Sequence, residues 1–468
     1  GSLVSQPKPV PPSNLRLFFT TDTSIQIGWN DKSNNETRFE IAYSPAGPEN
    51  WSYKSVDANT TSWWHNNLKF ASSYKYKVRA CLNHEGSSCS DWSNTITEWA
   101  RRQWDEASNF RQLDYGLYWF RCGRCRGGDK SGHGMKSDAQ PAVLNQNDAY
   151  YNPNAEHTVI YVHGWQPNTT KKHARESMEF VDQDIIKTWK DAGWNVGIFY
   201  WNQFADDQIP PQVPVNAEAK IWTPTSDTNT GVPVNMRYRL DDGKFYTFQQ
   251  PIPPKTVTDL FYDAYTRYLK GNKSKHIRIV GHSLGNQLAV RMTKMLIDKK
   301  ASPNLLPKRV ALIDPYWSPW VRPYPIDGKI GRKTEDAVAD YVRRLKDHGV
   351  VFEYYQTSSL TGPVLSKVAK LMVYSRLWPD YVGIDQAARH SEAKYWYFKS
   401  MNYGIVQPLV YDCTQQGCPA SQQPAPSAKM STDMLKTIMS QAGSLWWEQR
   451  GGKATRNVLD DTFWKKKW

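Results

Sequence analysis

The chain has 468 residues, enough for two or three domains of about 150 residues each. Lys and Arg exceed Asp and Glu by 14, and the pI is near 9.2. That balance suits an anionic lipid surface or an acidic polymer, and with nothing but charge behind it nucleic acid is not an expected partner. No apolar run approaches the 18 or so residues of a transmembrane helix.

Six cysteines fall in three close pairs, Cys81 with Cys89, Cys122 with Cys125 and Cys413 with Cys418. Local pairs in even number predict short-range disulfides and an oxidising, extracellular compartment. Zinc is the rival at Cys122-Gly-Arg-Cys125, with His133 nearby, but no second C-x-x-C and no H-x3-H completes a ligand set. Gly1-Ser2 reads as a tag remnant, which leaves a secretory leader to be expected upstream. The 21 Trp and 26 Tyr are either core or interface-seeking residues, since both rings pair an apolar body with a polar edge.

Residues 9 to 99 predict an all-β module, with short alternating runs and turn residues about every ten positions. The candidate strands are Leu15–Phe19, Ser24–Trp29, Arg38–Tyr43, Tyr53–Val56, Ser62–His65, Tyr74–Ala80 and Thr95–Trp99. Pro11-Pro12-Ser13-Asn14-Leu15, the core position of Trp29, the Leu68/Tyr74 spacing and Asp91-Trp92-Ser93-Asn94 resemble a fibronectin type III domain. The resemblance implies a module that binds, spaces or decorates. Cys81 and Cys89 flank its last hairpin. Residues 100 to 156 read as a linker and entry strands, with Leu117–Phe120 as a strand and 123–146 as a loop.

From 157 onward strand and helix alternate, which predicts an α/β domain with a largely parallel sheet flanked by helices. Thr158–Val162 is a strand ending in His163-Gly164-Trp165, Lys172–Ala192 a helix and Val196–Tyr200 a strand. Proline-rich residues 203–254 read as an insertion with a hairpin over Met236–Phe248. His276–Val280 is a strand, Gly281-His282-Ser283-Leu284-Gly285 a G-x-S-x-G turn and Asn286–Lys299 a helix; Val310–Ile313 is a strand closed by Asp314-Pro315. Residues 315–389 have the least sheet character and form a lid-like region. Within it 364–378 reads as an amphipathic helix, with Val364, Leu365, Val368, Leu371 and Met372 on one side and Trp378 at its end, a lid or interface-seeking element. Thr462–Trp468 is a basic aromatic tail suited to anionic lipid.

Strand, sharp turn and helix around G-x-S-x-G is the setting of a nucleophilic serine. Gly281 and Gly285 give the turn room, and Ser283 stands at a helix N-terminus. A serine needs a base and a group that orients it. With chain order Ser, acid, His, only His348 and His390 follow the acid; His348 belongs to a helix C-terminus, so His390, beginning a segment after a polar loop, is the expected base. Asp314 ends the next apolar strand and is the expected acid, ahead of Asp327, Asp380 and Asp385. Oxyanion donors are expected from the amides of Leu284 and Trp165.

Four stretches, 151–165, 276–285, 311–315 and 388–398, together resemble the pancreatic lipase-like family of α/β-hydrolases. The resemblance implies a Ser283–Asp314–His390 triad, hydrolysis of carboxylic esters of lipids in the manner of a phospholipase A1 or a triacylglycerol lipase, and a lid between acid and histidine. It departs from the family in three ways: a sandwich comes first rather than last, no cysteine lies between 126 and 412 to close a lid, and 203–254 has no counterpart. The expected chemistry requires no cofactor and no catalytic metal, with a structural ion left open. The alternatives are a polymer or polyester esterase with the β module as spacer, a binding protein on an inactive hydrolase scaffold, against which Ser283 argues, and a toxin that targets through the β module.

Overall fold

The computed structural model describes residues 7–21, 23–69, 72–83, 88–101, 110–126, 136–180, 183–208, 215–224, 236–360, 367–403, 409–411 and 424–468. The chain forms two compact units, Gly1–Trp104 and Asp105–Trp468. Val364, Leu365, Cys413 and Cys418 lie outside the described residues.

The first unit is a β-sandwich. Strands β1 (Ser13–Thr20), β2 (Ile25–Asn30) and β5 (Ser62–His65) form one sheet. The other has the order β4 (Ser52–Asp57), β3 (Arg38–Pro45), β6 (Ser73–Cys81), β7 (Ile96–Trp99), all antiparallel. Each expected strand is present. Alternate residues point inward, and Ile25, Ile27, Trp29, Phe39, Ile41, Tyr76 and Val78 meet in the core. Trp29 and Phe39 rings lie 5.6 Å apart. Cys81 and Cys89 are bonded, as expected. The resemblance singled out Tyr74, yet the more deeply buried tyrosine is Tyr76, whose hydroxyl hydrogen-bonds His65 Nδ1 at 2.7 Å.

The second unit is built on an eleven-stranded sheet. In chain order its strands are β8 (Gly116–Arg126), β9 (Lys136–Pro141), β10 (His157–Val162), β11 (Trp194–Tyr200), β14 (His276–His282), β15 (Arg309–Ile313), β16 (Val351–Gln356), β17 (Val373–Arg376), β18 (Leu409–Tyr411), β19 (Leu445–Gly451) and β20 (Thr462–Lys467). They lie side by side as β18-β20-β19-β17-β16-β15-β14-β10-β11-β8-β9. The run from β11 to β19 is parallel. The order in which strands are added reverses at β10, with β11 on one side and β14 on the other, so a crevice opens at the carboxyl ends of β10 and β14.

A parallel sheet must be covered on both faces. On one face Ile160, Val162, Ile277, Ile279, Val310, Leu312, Phe352 and Tyr354 join a core with α4 (Val257–Tyr268), α5 (Gly285–Asp298) and α6 (Thr334–Asp347). The other face carries the alternate residues, among them Tyr161, Arg278, Arg309 and Glu353, and is covered by α1 (Ile185–Asp191) and α7 (Gln386–Lys399), joined by Trp189 Nε1–H to the Phe398 carbonyl at 3.0 Å. There Arg309 and Glu353, both fully buried, pair at 2.6 Å. Arg309 also donates to the Ser427 carbonyl (2.8 Å) and Arg278 to the Ala428 carbonyl (3.0 Å), pinning the segment before α8 (Thr432–Met439) to the sheet. Between β11 and α4 lie α2 (Asn202–Ala205), α3 (Val215–Trp222) and a short hairpin, β12 (Tyr238–Arg239) with β13 (Phe245–Tyr246), where a hairpin was expected. α3 is core rather than surface: Ala217, Ala219 and Ile221 are fully buried, and Lys220 pairs with buried Asp207 at 2.8 Å.

Five sequence expectations are corrected. The helix expected over 172–192 is helical only in α1. Upstream, the carbonyls of Ala174, Glu176, Ser177 and Phe180 accept from the side chains of Asn202, Tyr200, Lys394 and Arg124, so tertiary partners take the acceptors that a helix would use. The helix expected over 364–378 is, where described, a 3-10 turn at Ala369–Leu371 followed by β17. Val368 and Met372 are fully buried under the sheet, Leu371 packs against the same core, and Trp378 Nε1 donates to Glu448 at 3.1 Å; none of these is a lid surface. The Thr462–Trp468 tail is the strand β20, antiparallel to β19, with Phe463 and Lys465 buried and Lys466 paired to Glu448. The 123–146 loop contains the end of β8 and all of β9. His390 sits within α7 rather than on a loop. Among the described residues no helix is long and apolar enough to cross a membrane.

Candidate active site

Turns after β10, β14, β15 and β16 meet at the carboxyl edge of the sheet. β14 is seven residues of unbroken strand, six of them buried, and the chain must then enter α5 at once. Ser283 makes that turn at φ +56, a left-handed conformation that costs a non-glycine residue of order 1–2 kcal/mol. Its carbonyl is held by the amides of Asn286 (3.2 Å) and Tyr316 (3.1 Å), and its own amide donates to the Ile313 carbonyl at 3.3 Å. The flanking glycines are required by space. A Cβ on Gly281 would stand 2.6 Å from the Gly285 carbonyl oxygen, and one on Gly285 would stand 2.7 Å from that of His163.

The same close packing brings His163-Gly164-Trp165 to the serine. A Cβ on Gly164 would lie 2.7 Å from Ser283 Cβ and 3.1 Å from the Leu284 amide nitrogen. Among the described residues no backbone carbonyl takes the Leu284 or the Trp165 amide. His163 shapes this turn. The Trp201 amide donates to its Nε2 at 2.9 Å, so the proton is on Nδ1, which donates to the Gly164 carbonyl at 2.8 Å. Full burial, the largest influence, pushes the His163 pKa down to about 4, which keeps the ring neutral in this role.

Asp314 follows β15 at φ +38 and is fully buried. Its carboxylate accepts from the amides of Thr357 (2.8 Å) and Ser358 (3.0 Å), from the Ser358 hydroxyl, and from His390 Nδ1. Burial opposes its charge, but these hydrogen bonds and the neighbouring imidazole more than offset that and hold the carboxyl below its usual range. With Nδ1–H committed to Asp314, the lone pair of His390 is on Nε2. His390 is placed by α7, which Asp385 caps by accepting from the Ala387 amide at 3.0 Å. His282, beside the serine, donates from Nε2 to the His390 carbonyl at 2.8 Å, and the two rings lie 4.4 Å apart. Burial pushes His282 down to about 4 as well. Behind both neutral histidines, Glu176 is held below its usual range although burial opposes its charge, through the Lys394 ammonium and a bond from the Tyr161 hydroxyl at 2.8 Å.

The structure thus brings Ser283, Asp314, His390, Leu284, Trp165, His163, Gly164, Gly281 and Gly285 to one edge of the sheet. The rejected aspartates have other partners: Asp327 pairs with Arg291 (2.7 Å), Asp380 with Arg389 (2.9 Å), and Asp385 is the cap. His348 ends α6, where it bonds the Arg344 carbonyl. Sequence reasoning missed Ser358, Thr357 and His282. Thr357-Ser358 could have been found, because it follows β16 as Asp314 follows β15. Cys122 and Cys125 are bonded to each other within β8, where the pairing with β9 is irregular, and this takes both thiols from any zinc site. Among the described residues no cluster of three or more metal-ligating side chains occurs.

Residues 10–99 match the family profile described as fibronectin type III domain. No curated protein matches the chain. Among solved structures, the FN5 domain of Drosophila Lar is similar at 19% identity over 20% of this chain and 97% of that one, with a TM-score of 0.17. A crystallised FN3 domain of human collagen XX is similar at 14% identity, covering 21% and 99% with a TM-score of 0.18. By the profile match, residues 10–99 are a fibronectin type III domain, a fold that commonly serves as a binding module and is common in extracellular proteins.

Proposed function

We propose that the second unit is an α/β-hydrolase, similar to the pancreatic lipase-like family, that hydrolyses carboxylic esters of lipids through Ser283. One observation carries this reading: a serine at φ +56 between β14 and α5, packed against the Gly164 turn, at the edge where His390 is bonded to Asp314. In this reading Ser283 Oγ attacks the acyl carbonyl carbon and His390 Nε2 takes its proton. The charge of Asp314 stabilises the imidazolium. The oxyanion of the tetrahedral intermediate is received by the amides of Leu284 and Trp165, each worth about 2.7–4 kcal/mol. Collapse expels the alcohol, which leaves with the His390 proton, and the acyl group stays on Ser283. Water, deprotonated by His390, then releases the acid. Neither step asks for a metal or cofactor.

A lipidic substrate is supported by large apolar side chains exposed on the connections around this edge. Trp320 (72% exposed), Val321 and Ile330 (85%) lie between β15 and α6, Leu360 follows β16, and Ile384 (89%) precedes α7. Where such residues gather into one patch, the surface marks an apolar partner. The net charge of +14 favours anionic lipid. In this reading the fibronectin type III unit supplies targeting, and the two bonded cysteine pairs support an oxidising compartment.

Incubation with phosphatidylglycerol vesicles, triglyceride emulsion and polyester film, followed by mass spectrometry of what is released, tests both activity and class. Free fatty acid from a lipid, absent with Ser283→Ala, is expected. Release from polyester alone moves the reading to a polymer esterase, and equal release by Ser283→Ala refutes the serine.

A further inference from the structure

Residues 203–254, which break the strand–helix rhythm of the sequence, take no part in the chemistry described so far. Their first residues run beside the turn that carries the Trp165 amide. The Gln166 amide donates to the Ala205 carbonyl at 3.2 Å, and the Trp165 indole N–H donates to the Asp207 carbonyl at 3.2 Å. The carboxylate of Asp206, itself fully buried, accepts from the amides of Asn168 (2.9 Å) and Thr170 (3.1 Å). The turn is thus tied at Trp165, Gln166, Asn168 and Thr170 to three consecutive residues, Ala205, Asp206 and Asp207. Asn168 stands at φ +62, a left-handed conformation that these bonds from outside the turn hold in place.

The insertion anchors those three residues in its own hairpin and helix. Arg239 of β12 donates through Nε to the Asp206 carbonyl at 3.1 Å and lies 3.5 Å from its carboxylate. Asp207, also fully buried, takes different partners: Arg237 through two bonds of 2.7 Å, and Lys220 of α3 at 2.8 Å. α3 in turn reaches the elbow. Its buried Glu218 accepts from Gln287 Nε2 on α5 at 2.9 Å, from the Ser318 amide at 3.0 Å and from the Thr334 hydroxyl at 3.2 Å. The insertion is therefore bonded to the Trp165 turn and to the helix that begins directly after Leu284. Two donors on separate segments receive one oxygen only if the distance between them is fixed, and donors fixed beforehand cost no reorganisation during reaction. Buried carboxylate-to-amide bonds, being charge-assisted, are suited to fixing it.

We propose that Asp206 is a positioning residue of the oxyanion turn, and that the insertion is the brace that sets this turn against the elbow; the proposal rests on the hydrolase reading of Ser283. Asp206 touches no reacting atom. It acts through the amides it holds further along the turn, so its loss moves the Trp165 N–H while Ser283 and His390 keep their places. Asp206→Asn is the sharpest probe. One carboxylate oxygen becomes an NH2 group, which cannot accept, and one of the two buried amides loses its partner.

Two measurements on the full chain separate this role from general loss of stability and from failure of the hydrolase reading. On a soluble p-nitrophenyl ester, Asp206→Asn is expected to lower kcat about 10- to 100-fold, short of the roughly 100- to 1,000-fold of a donor removed outright, with KM within about twofold. Inhibition by an alkyl trifluoromethyl ketone, which Ser283 captures as a hemiketal oxyanion, is expected to weaken by the same factor as kcat/KM. Asp138→Asn, which weakens a buried pair with Arg121 (2.6 Å) in the edge strand β9, is the control and should keep kcat within about twofold. Hydrogen exchange followed by mass spectrometry needs no substrate. It should quicken across 163–170 in Asp206→Asn and stay unchanged there in Asp138→Asn. Unchanged exchange in Asp206→Asn, a kcat within about twofold of wild type, or a lower kcat with undiminished ketone inhibition overturns the inference. Faster exchange in a protein whose wild type hydrolyses no ester upholds the brace and overturns the hydrolase reading instead.

Discussion

Gly164→Ala separates the oxyanion reading from a merely structural turn. The added methyl would meet Ser283 Cβ at 2.7 Å, the His282 carbonyl oxygen at 3.0 Å and the Leu284 amide nitrogen at 3.1 Å. Ordinary contact begins near 3.4 Å, so the turn and the elbow must part by about 0.7 Å. Neither side yields easily. The Gly164 carbonyl is bonded to His163, which is bonded to Trp201, and the elbow is tied to β15 through the Ile313 carbonyl. An overpacked buried site of this kind costs about 1–3 kcal/mol of stability. Activity should suffer more, because the two proposed oxyanion donors stand on opposite sides of the inserted methyl. A displacement approaching 1 Å costs on the order of 100-fold in kcat. Steady-state hydrolysis of a soluble p-nitrophenyl ester, with Gly47→Ala as control since a Cβ there meets nothing within 4 Å, reads the effect. A Gly164→Ala enzyme that folds and keeps kcat within twofold of wild type would refute the assignment of this turn.

His163 and His282 are buried neutral, each held at about 4 against 6.5 when free. Their contribution to stability is therefore complete above pH 6.5 and lost as pH falls toward 4, where the unfolded chain takes up protons that the folded one refuses. Each can be worth up to about 3 kcal/mol, and urea midpoints at pH 7.5, 5.5 and 4.5 should fall in that order; a flat series contradicts it. Glu353→Gln leaves the Arg309 charge buried without its 2.6 Å partner and should cost about 3–5 kcal/mol by urea denaturation, whereas replacing both by Met should recover much of the loss. A single-variant cost below about 1 kcal/mol would mean the pair contributes little. Trp320→Ser combined with Ile384→Ser should lower hydrolysis of vesicle lipid more than that of a soluble ester; equal effects on both would remove the exposed rim from the account.

The legible parts of the sequence were those where local chemistry and tertiary role coincide. Gly281, Ser283 and Gly285 are spaced by backbone sterics that no other residues satisfy, and β10, β14 and β15 are short apolar runs bounded by turns. In the first unit β6 alternates because one of its faces is buried, with Tyr76, Val78 and Ala80 inward. Legibility failed where distant partners decide. Met178, Ile185 and Trp189 carry helical spacing, but side chains from Asn202, Tyr200, Lys394 and Arg124 claim the carbonyls upstream of α1. Val368 and Met372 also sit at helical spacing, yet β17 is a four-residue strand buried on both faces, a pattern with no period to read. The lysines of β20 read as a solvated tail, yet Lys465 is buried with its Nζ over the Trp447 ring at 5.5 Å. Ser358 was missed for a different reason: its contact with Asp314 exists only once β15 and β16 are paired, and its place directly after β16 was the one local signal.

The central claim is that Ser283 is a nucleophile activated by His390 and Asp314. Intact-protein mass spectrometry after treatment with a p-nitrophenyl alkylphosphonate tests it most directly, because the reagent phosphonylates an activated serine and stops. A single adduct located to Ser283 by peptide mapping is expected, abolished in Ser283→Ala and slowed at least about 1,000-fold in His390→Ala. An unmodified wild-type protein, or an adduct that persists in Ser283→Ala, would contradict it.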